Sequence, residues 1–320
     1  MKPKITVLDA FTLLRDDIKF WQSLEALADV DYYDRTMPED IVSRCEHSDL
    51  VMTNKVVLDK EVLSRLPKLR YVGVLATGYN VVDLPYATEH GIVVTNIPAY
   101  STDSVAQIVF AHLLHVVNDV AYYNARNHEG RWCASPDMCY LDYPLHELSS
   151  LTMGIVGLGN IGMKVAGIAH AFGMRVCAFT SKTSSELPEF IEPCALTDLY
   201  RLSDVVTYHC PLNATTEKMI NAEAIAVMKP EAIVINTGRG GLADEEAIAT
   251  ALKSGRLKAY CTDVLSTEPP SPHNPLLAVS NAIITPHIGW STIESRRRLM
   301  DIAVENVRCF LEGKPINVVN

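Results

Sequence analysis

The sequence predicts an α/β protein of two domains, each built on a parallel β-sheet, and three observations carry that reading. At 320 residues the chain exceeds what one compact core usually encloses. Short β-branched runs alternate with helical patterns twice along it, once through residues 1–100 and again from Leu151 onward. Such alternation argues for parallel strands joined by crossover helices. The second series opens with an apolar run that breaks into Gly157, Gly159 and Gly162, the glycine spacing of a strand turning into a helix around a dinucleotide.

In the first series ITVLD, VDYYD, DLVMTN, LRYVGVL and IVVTN read as strands, with EDIVSRCEH and KEVLSRL as helices between them. A long helix is expected next, opening in STDSVAQIVFAHLLHVVNDVAYYNA, where Ser104 and Gln107 have capping-box spacing and the next turns are mostly apolar. His112 and His115 lie on it three positions apart; they read as satisfied helix histidines rather than a metal pair, and no metal is expected. Residues 127–150 are irregular, with Trp132, Tyr140, Tyr143 and Pro144 among turn residues. A long aromatic loop of this kind points to a subunit contact or a site cover.

The strands of the second series are TMGIVG, RVCAFT, DVVTYHC, AIVIN, KAYCTD and NAIITP, with helices such as KVAGIAHAF and DEEAIATALKSG between them. A final helix, STIESRRRLMDIAVENVRCFLEG, carries the run Arg296–Arg298, which reads as a solvated basic face.

Composition narrows the partners. Apolar residues make up 48% and charged residues 21%, ordinary globular values, and the net charge is −10. That charge argues against nucleic acid or an anionic membrane, and an anionic substrate would have to be captured by local cations. No run approaches the roughly 20 apolar residues of a membrane span, and the apolar stretch in MKPKITVLDAF is too short for a secretory signal. The eight cysteines are scattered without a CxxC pair. They are read as buried thiols in a reducing compartment, so a cytoplasmic location is expected.

At the glycine turn, Gly157 allows the tight bend, Gly159 lets the backbone approach a pyrophosphate, and Gly162 permits close helix–strand packing. The helix N-terminus adds its dipole and free N–H groups. An acidic residue about 20 positions on normally holds the adenosine ribose, yet there is no Asp or Glu between Met163 and Ser185. Thr180, Ser181 and Lys182 stand where it is expected. Hydroxyls and a cation remove the repulsion of a 2′-phosphate and supply donors for it. The stretch therefore favours NADP over NAD; the other reading is a polar loop that admits either.

Three later stretches each end a predicted strand: INTGRGG, CTDVLSTEPP and ITPHIGW. Carboxyl ends of parallel strands converge on the ligand crevice, so Arg239, Glu268 and His287 can meet there. Taken singly, each has an ordinary reading as a turn or cap residue. Together they supply what hydride transfer to a 2-keto acid needs. Arg239 binds the carboxylate and polarises the ketone. His287 protonates the oxygen. Glu268 holds the other ring nitrogen and keeps the imidazole charged by raising its pKa.

In their order and spacing, GLGNIG, NTGRGG, TDVLSTEP and TPHIGW resemble the D-isomer-specific 2-hydroxyacid dehydrogenases, over essentially the whole chain. The resemblance implies two Rossmann-like domains, the cofactor domain (residues 101–288) inserted into a flavodoxin-like substrate domain (1–100 and 289–320). It implies Arg239, Glu268 and His287 as catalytic groups, with His287 the proton donor. It places Asp263 on the nicotinamide amide and Asn160, Ile161, Cys210 and Thr237 along the cofactor, with Gly238 and Gly289 beside them. It also assigns Ala76, Thr77 and Gly78 to the substrate carboxylate, through backbone N–H groups opposite Arg239. From the residues alone that loop reads as a plain strand-to-helix turn. The long helix would cross between domains, and the last helix would cross back, so that the terminal PINVVN returns onto the first sheet. Most members carry Asp near Thr180; members with hydroxyl and basic residues there tend toward NADPH.

ATGYN and IPAYSTDSVAQ, with Gln107 where many members carry Glu, are most similar to glycerate dehydrogenases (hydroxypyruvate reductases). Trp290 after HIG suggests a site narrowed by an aromatic wall, suited to a small polar keto acid. The chain stops at Asn320, without the regulatory domain appended to many phosphoglycerate dehydrogenases. Hydroxypyruvate is therefore the first expected substrate and glyoxylate the second, in a homodimer built on the long helix and the aromatic loop. The competing readings are another acid on the same scaffold (phosphoglycerate, D-lactate, phosphite, formate) and a dinucleotide-sensing corepressor.

Overall fold

In the computed structural model, which describes residues 2–14 and 19–320, the chain divides into two compact units. One joins Met1–Ser101 to Ser291–Asn320, and the other is the uninterrupted stretch Thr102–Trp290. The divisions expected from the sequence lay after residues 100 and 288, so Gly289 and Trp290 fall in the second unit.

The first unit begins with β1 (Lys4–Val7), α1 (Phe11–Leu14), α2 (Lys19–Leu27), β2 (Asp29–Tyr32), α3 (Ile41–Cys45), β3 (Leu50–Thr53), α4 (Lys60–Ser64), β4 (Tyr71–Val74), α5 (Leu84–Glu89) and β5 (Val93–Thr95). The strands form one parallel sheet in the order β2-β1-β3-β4-β5, the flavodoxin-like order. Every residue of β3 and β4 is buried, which is why these strands read as continuous apolar runs rather than alternating ones. Strand order reverses between β1 and β3, the usual place for a ligand. Here the Asp9 carboxylate fills it, accepting the N–H groups of Asn54, Lys55 and Val56 at 2.8, 2.6 and 3.2 Å. A fixed carboxylate at that point disfavours a bound anion.

The second unit contains α6 (Thr102–Asn118), α7 (Val120–His128), β6 (Thr152–Val156), α8 (Asn160–Ala171), β7 (Arg175–Phe179), β8 (Ile191–Pro193), α9 (Leu196–Leu202), β9 (Val205–Tyr208), α10 (Ala222–Val227), β10 (Ala232–Asn236), α11 (Glu245–Lys253), β11 (Leu257–Thr262) and β12 (Ala282–Ile284). Its seven strands are all parallel, in the order β12-β11-β10-β9-β6-β7-β8. This is the Rossmann arrangement, with its reversal between β6 and β9. One face is covered by α6 and α8, through Val109, Leu113, Val165 and Ala166 against Ile155 and Ile235. The other is covered by α9, α10 and α11, through Leu199, Ile225, Ile248 and Leu252 against Tyr208 and Val234. Each such fully buried aliphatic side chain contributes about 1.5–3 kcal/mol.

The chain then re-enters the first unit with α12 (Ile293–Leu311). The rings of Phe310 and Tyr71 lie 4.8 Å apart, and the Asn306 amide donates to Asn96 O at 3.0 Å. The terminal PINVVN returns onto the first sheet as expected. Val318 bridges Thr95, Val319 donates to Val94 O, and the Asn320 side chain accepts from Val94 and donates to Ile92 O.

The structure corrects several expectations. The long helix starts at Thr102, which places Ser104 inside it rather than at its cap. It then breaks: Asp119 adopts a left-handed conformation (φ 40°), caps α7 through Tyr122 N–H, and bends the two helices by 54°. Asp tolerates that conformation better than most residues because its short side chain bonds locally. Strand β8 has no counterpart among the strands read from the sequence, whereas α9 and α10 lie where helices are expected between strands. Cys45, Cys177 and Cys261 are buried as read, but Cys133 and Cys139 are exposed in the aromatic loop. Among the described residues no single helix is long and apolar enough to cross a membrane.

Candidate active site

The glycine turn occupies the reversal point of the second sheet. Gly157 has φ 94°, and a Cβ there would stand 2.8 Å from Cys210 N, at the end of the neighbouring strand β9. A Cβ on Gly162 would lie 2.1 Å from Gly157 O, so the first turn of α8 rests directly on the bend. Gly159, the N-cap of α8, is exposed, and a Cβ there would meet nothing within 4 Å. Nothing inside the protein requires a glycine at 159; an incoming ligand would. Asn160 and Ile161 open α8, whose first turn carries no acidic residue to oppose an anion.

Two further observations fit a dinucleotide. Thr237, at the carboxyl end of β10, is 9% exposed, and its Oγ1 is buried with no hydrogen-bond partner. A buried unsatisfied hydroxyl costs about 1–3 kcal/mol, so a ligand that bonds it recovers that cost. Cys210 borders the bend with its backbone, while its Sγ turns toward Met219 Sδ at 3.7 Å. Adjacent His209 is pushed down to about 3 by desolvation, and its Nε2 meets Thr207 Oγ1 at 2.9 Å. It is a neutral group at the strand end.

Thr180, Ser181 and Lys182 follow β7, with Ser181 and Lys182 exposed. The loop also holds an acid that the sequence reading placed outside it. Glu186 turns back to accept from both the N–H and the hydroxyl of Thr183 at 2.8 Å, a capping box. The Thr183 donors and the nearby Lys182 charge hold its carboxyl below the usual range. The signal for it was the spacing Thr183-x-x-Glu186.

The catalytic candidates sit at the ends of three adjacent strands. Arg239 follows β10, and its turn is shaped by Asn236, fully buried, whose Nδ2 donates to Arg239 O at 2.9 Å and whose Oδ1 accepts from Gly238 N at 3.1 Å. The Arg239 side chain is exposed and donates to Gly238 O at 2.8 Å. Glu268 lies in the loop after β11, with Oε1 accepting from Leu265 N at 3.0 Å. Its Oε2 stands 2.6 Å from Nδ1 of His287, which follows β12. His287 has φ 53°, a strained conformation for a residue other than glycine, and such strain gathers at functional sites.

Asp263 pins that strained turn. Its Oδ1 accepts from Thr285 Oγ1 at 2.6 Å and Ile288 N at 2.9 Å, and its Oδ2 from Gly289 N at 2.7 Å. The expected role of Asp263 toward the cofactor is thus joined by an internal one. Gly289 gives its N–H to Asp263, so that donor is already engaged inside the protein. Behind Asp263 stands His112, 3% exposed, with Nε2 3.2 Å from Thr285 Oγ1. Thr285 spends its proton on Asp263, so His112 Nε2 must donate. Burial pushes this imidazole down, outweighing the pull of the Asp263 charge, and it is neutral. His112 is a satisfied helix histidine as read; its part beneath the His287 turn was invisible in sequence. Trp290 follows, half-buried.

In the first unit, Thr77 Oγ1 donates to Ile97 O at 2.8 Å and Thr77 O accepts from Asn96 Nδ2 at 2.9 Å. Ala76 O accepts from Ile97 N. Among the described residues the N–H groups of Thr77 and Gly78 make no backbone hydrogen bond.

A dinucleotide turn followed by an Arg, a Glu–His pair and a buried Asp on successive strand ends defines a class of nicotinamide-dependent oxidoreductases. Residues 110–289 match the model of the D-isomer specific 2-hydroxyacid dehydrogenase NAD binding domain. The chain is 47% identical to a hydroxypyruvate reductase of Blautia hydrogenotrophica, over 99% of each chain. It is 38% identical to a glycerate dehydrogenase of Methylorubrum extorquens, covering 90% of this chain and 91% of that one. Its fold matches an acyclic imino acid reductase solved with NADPH and D-Arg at a TM-score of 0.87 and 29% identity, covering 99% of this chain and 100% of that one. The chain belongs to the D-isomer-specific 2-hydroxyacid dehydrogenases. It is an NAD(P)-dependent enzyme that reduces 2-keto acids to D-2-hydroxy acids.

Proposed function

We propose that this enzyme reduces hydroxypyruvate to D-glycerate, with glyoxylate as its second substrate, and that His287 is the proton donor. The observation that carries the reading is the Glu268–His287 pair at 2.6 Å, held on the strand edge that also presents Arg239. The 47% identity to a hydroxypyruvate reductase supports the choice of acid, and half-buried Trp290 beside the site suits a small substrate.

When bound, the nicotinamide supplies the hydride that adds to the keto carbon. The chain's own residues do the rest. The Arg239 guanidinium binds the substrate carboxylate and polarises the ketone, as a planar pair of donors can. The imidazolium of His287, its Nδ1 engaged by Glu268, delivers a proton from Nε2 to the ketone oxygen. The product is the hydroxy acid and the histidine is left neutral. The Glu268 carboxylate favours the protonated imidazole before each turnover. In the first unit, the N–H groups of Thr77 and Gly78, beside Ala76, would serve as donors to the substrate carboxylate. Gly157, Gly159, Asn160, Ile161, Gly162 and Thr237 would hold the dinucleotide, with its pyrophosphate at the start of α8.

NADPH is the preferred dinucleotide in this reading, because Lys182 and the hydroxyls of Thr180 and Ser181 suit a 2′-phosphate. The enzyme acts as a cytoplasmic homodimer. Val120, Trp132, Met138, Leu141 and Leu145 are all exposed within one short segment, and a second copy would cover an apolar surface of that kind.

The test is hydroxypyruvate reduction with NADPH and NADH side by side, as kcat/KM, for wild type and Lys182→Ala. A wild-type preference for NADPH that shrinks in the variant supports both substrate and cofactor. Equal use of the two, or a preference for NADH, reduces 180–182 to a polar loop. A tenfold preference for a bulky keto acid overturns the substrate.

A further inference from the structure

The geometry points to Glu245 as a positioning residue that clamps the loop carrying Glu268 against the turn carrying Arg239. The inference rests on the reading of Glu268, His287 and Arg239 as the catalytic groups and goes beyond it. Glu245 is the first residue of α11, capped by Asp244 through Ala247 N–H. Its side chain does not serve its own helix. Oε1 accepts from Ser266 N at 2.8 Å and Oε2 from Asn274 Nδ2 at 2.8 Å. Both donors belong to the segment that follows β11, on either side of Glu268.

That segment rests on the Arg239 turn backbone to backbone. A Cβ on Gly240 would stand 2.0 Å from Leu265 C and O and 2.4 Å from Ser266 N. A single packed layer therefore runs from Arg239 through Gly240 to Leu265 and Ser266, and Leu265 N–H in turn donates to Glu268 Oε1. Asn274 is 9% exposed and uses its other amide atom to cap residues 275–278 through Leu276 N–H at 3.0 Å, so it is fixed at both ends. Glu268 by contrast is exposed, and its segment has little burial of its own. The Glu245 carboxylate supplies two charge-assisted hydrogen bonds to this exposed stretch, roughly twice as strong as neutral ones. It acts on His287 only through Glu268: loosening the loop weakens the carboxylate's hold on Nδ1 and with it the preference for imidazolium.

The experiment follows the His287 Cε1–H resonance by NMR against pH in wild type, Glu245→Gln, Glu245→Ala and, as reference, Glu268→Gln. Glu245→Ala is expected to move the His287 midpoint to lower pH, part of the way to Glu268→Gln. Glu245→Gln keeps an acceptor for Ser266 and is expected to fall between wild type and Glu245→Ala. On the same samples, hydroxypyruvate kcat should fall about tenfold in Glu245→Ala, with KM for NADPH unchanged. A His287 midpoint unmoved in both Glu245 variants while Glu268→Gln moves it overturns the clamp, whatever the loss of thermal stability. If wild type turns over no keto acid yet the midpoints shift as expected, the clamp stands and the proposed substrate falls.

Discussion

Asp263 holds His287 through the residues on either side of it. The carboxylate bonds the Thr285 hydroxyl two residues before the imidazole and the N–H groups of Ile288 and Gly289 just after it, bracketing a residue at φ 53°. Replacing it by Asn turns one acceptor into a donor that faces a backbone N–H. Asp263→Asn is expected to lose about 1–3 kcal/mol of stability and at least tenfold in kcat. Urea unfolding and steady-state kinetics on one preparation check both, and retention of full kcat would break the link between the bracket and catalysis.

The Glu268–His287 pair makes a prediction about rate. Glu268 Oε2 holds Nδ1 of His287 at 2.6 Å, and Glu268→Gln removes the charge of that partner while keeping its shape. Steady-state kcat for reduction should fall at least about tenfold in this variant. His287→Ala should lose about 10²–10⁴ in kcat while quenching of protein fluorescence reports unchanged NADPH binding. Normal turnover in a clean His287→Ala preparation would end the proton-donor assignment.

Thr237 separates stability from binding. Its Oγ1 is buried and unpartnered, so the isosteric Thr237→Val removes a cost in the ligand-free protein. The variant should melt at or above the wild-type temperature yet bind NADPH about 5–10-fold more weakly, the value of one hydrogen bond. Equal affinity measured by titration calorimetry would take Thr237 out of the cofactor site.

Two histidines set the acid side of the stability curve. His112 and His209 are both pushed below the ordinary histidine value by burial, His209 to about 3. The unfolded chain then binds more protons than the folded one between those lowered values and about 6.5. Stability contributed by these neutral groups is present above pH 6.5 and is lost as pH falls toward 3. Urea midpoints should decline through this range in wild type and decline less steeply in His112→Gln. An unchanged slope in that variant would place the acid sensitivity elsewhere.

Much of this was legible in the sequence because it is written locally. The β-branched runs and helical periods mark strands and helices wherever burial is regular, as in fully buried β3, β4, β9 and β10. Gly157 and Gly162 are demanded by contacts that any strand–turn–helix of this spacing must make. Arg239, Glu268 and His287 were recognisable because each follows a strand. Short elements with mixed burial were not legible: β8 exposes two of its three residues and offers no period to read. The break at Asp119 was hidden because the apolar pattern continues toward it, while the backbone turns on one left-handed residue.

By itself, then, the sequence determined the two α/β units, the dinucleotide turn, the family and the three chemical groups. Only the tertiary structure decided what holds those groups in place. Asp9, His112, Glu245 and Asn274 carry no motif that announces their roles. His112 meets Thr285 across 173 positions, and Asp9 meets Asn54 across 45. Such partners are set by sheet order and crossover packing, and a carboxylate or imidazole becomes a structural acceptor or a suppressed base only when folding has removed water from it. Reactive groups follow local spacing, whereas the burial and hydrogen bonds that tune them are properties of the assembled sheet.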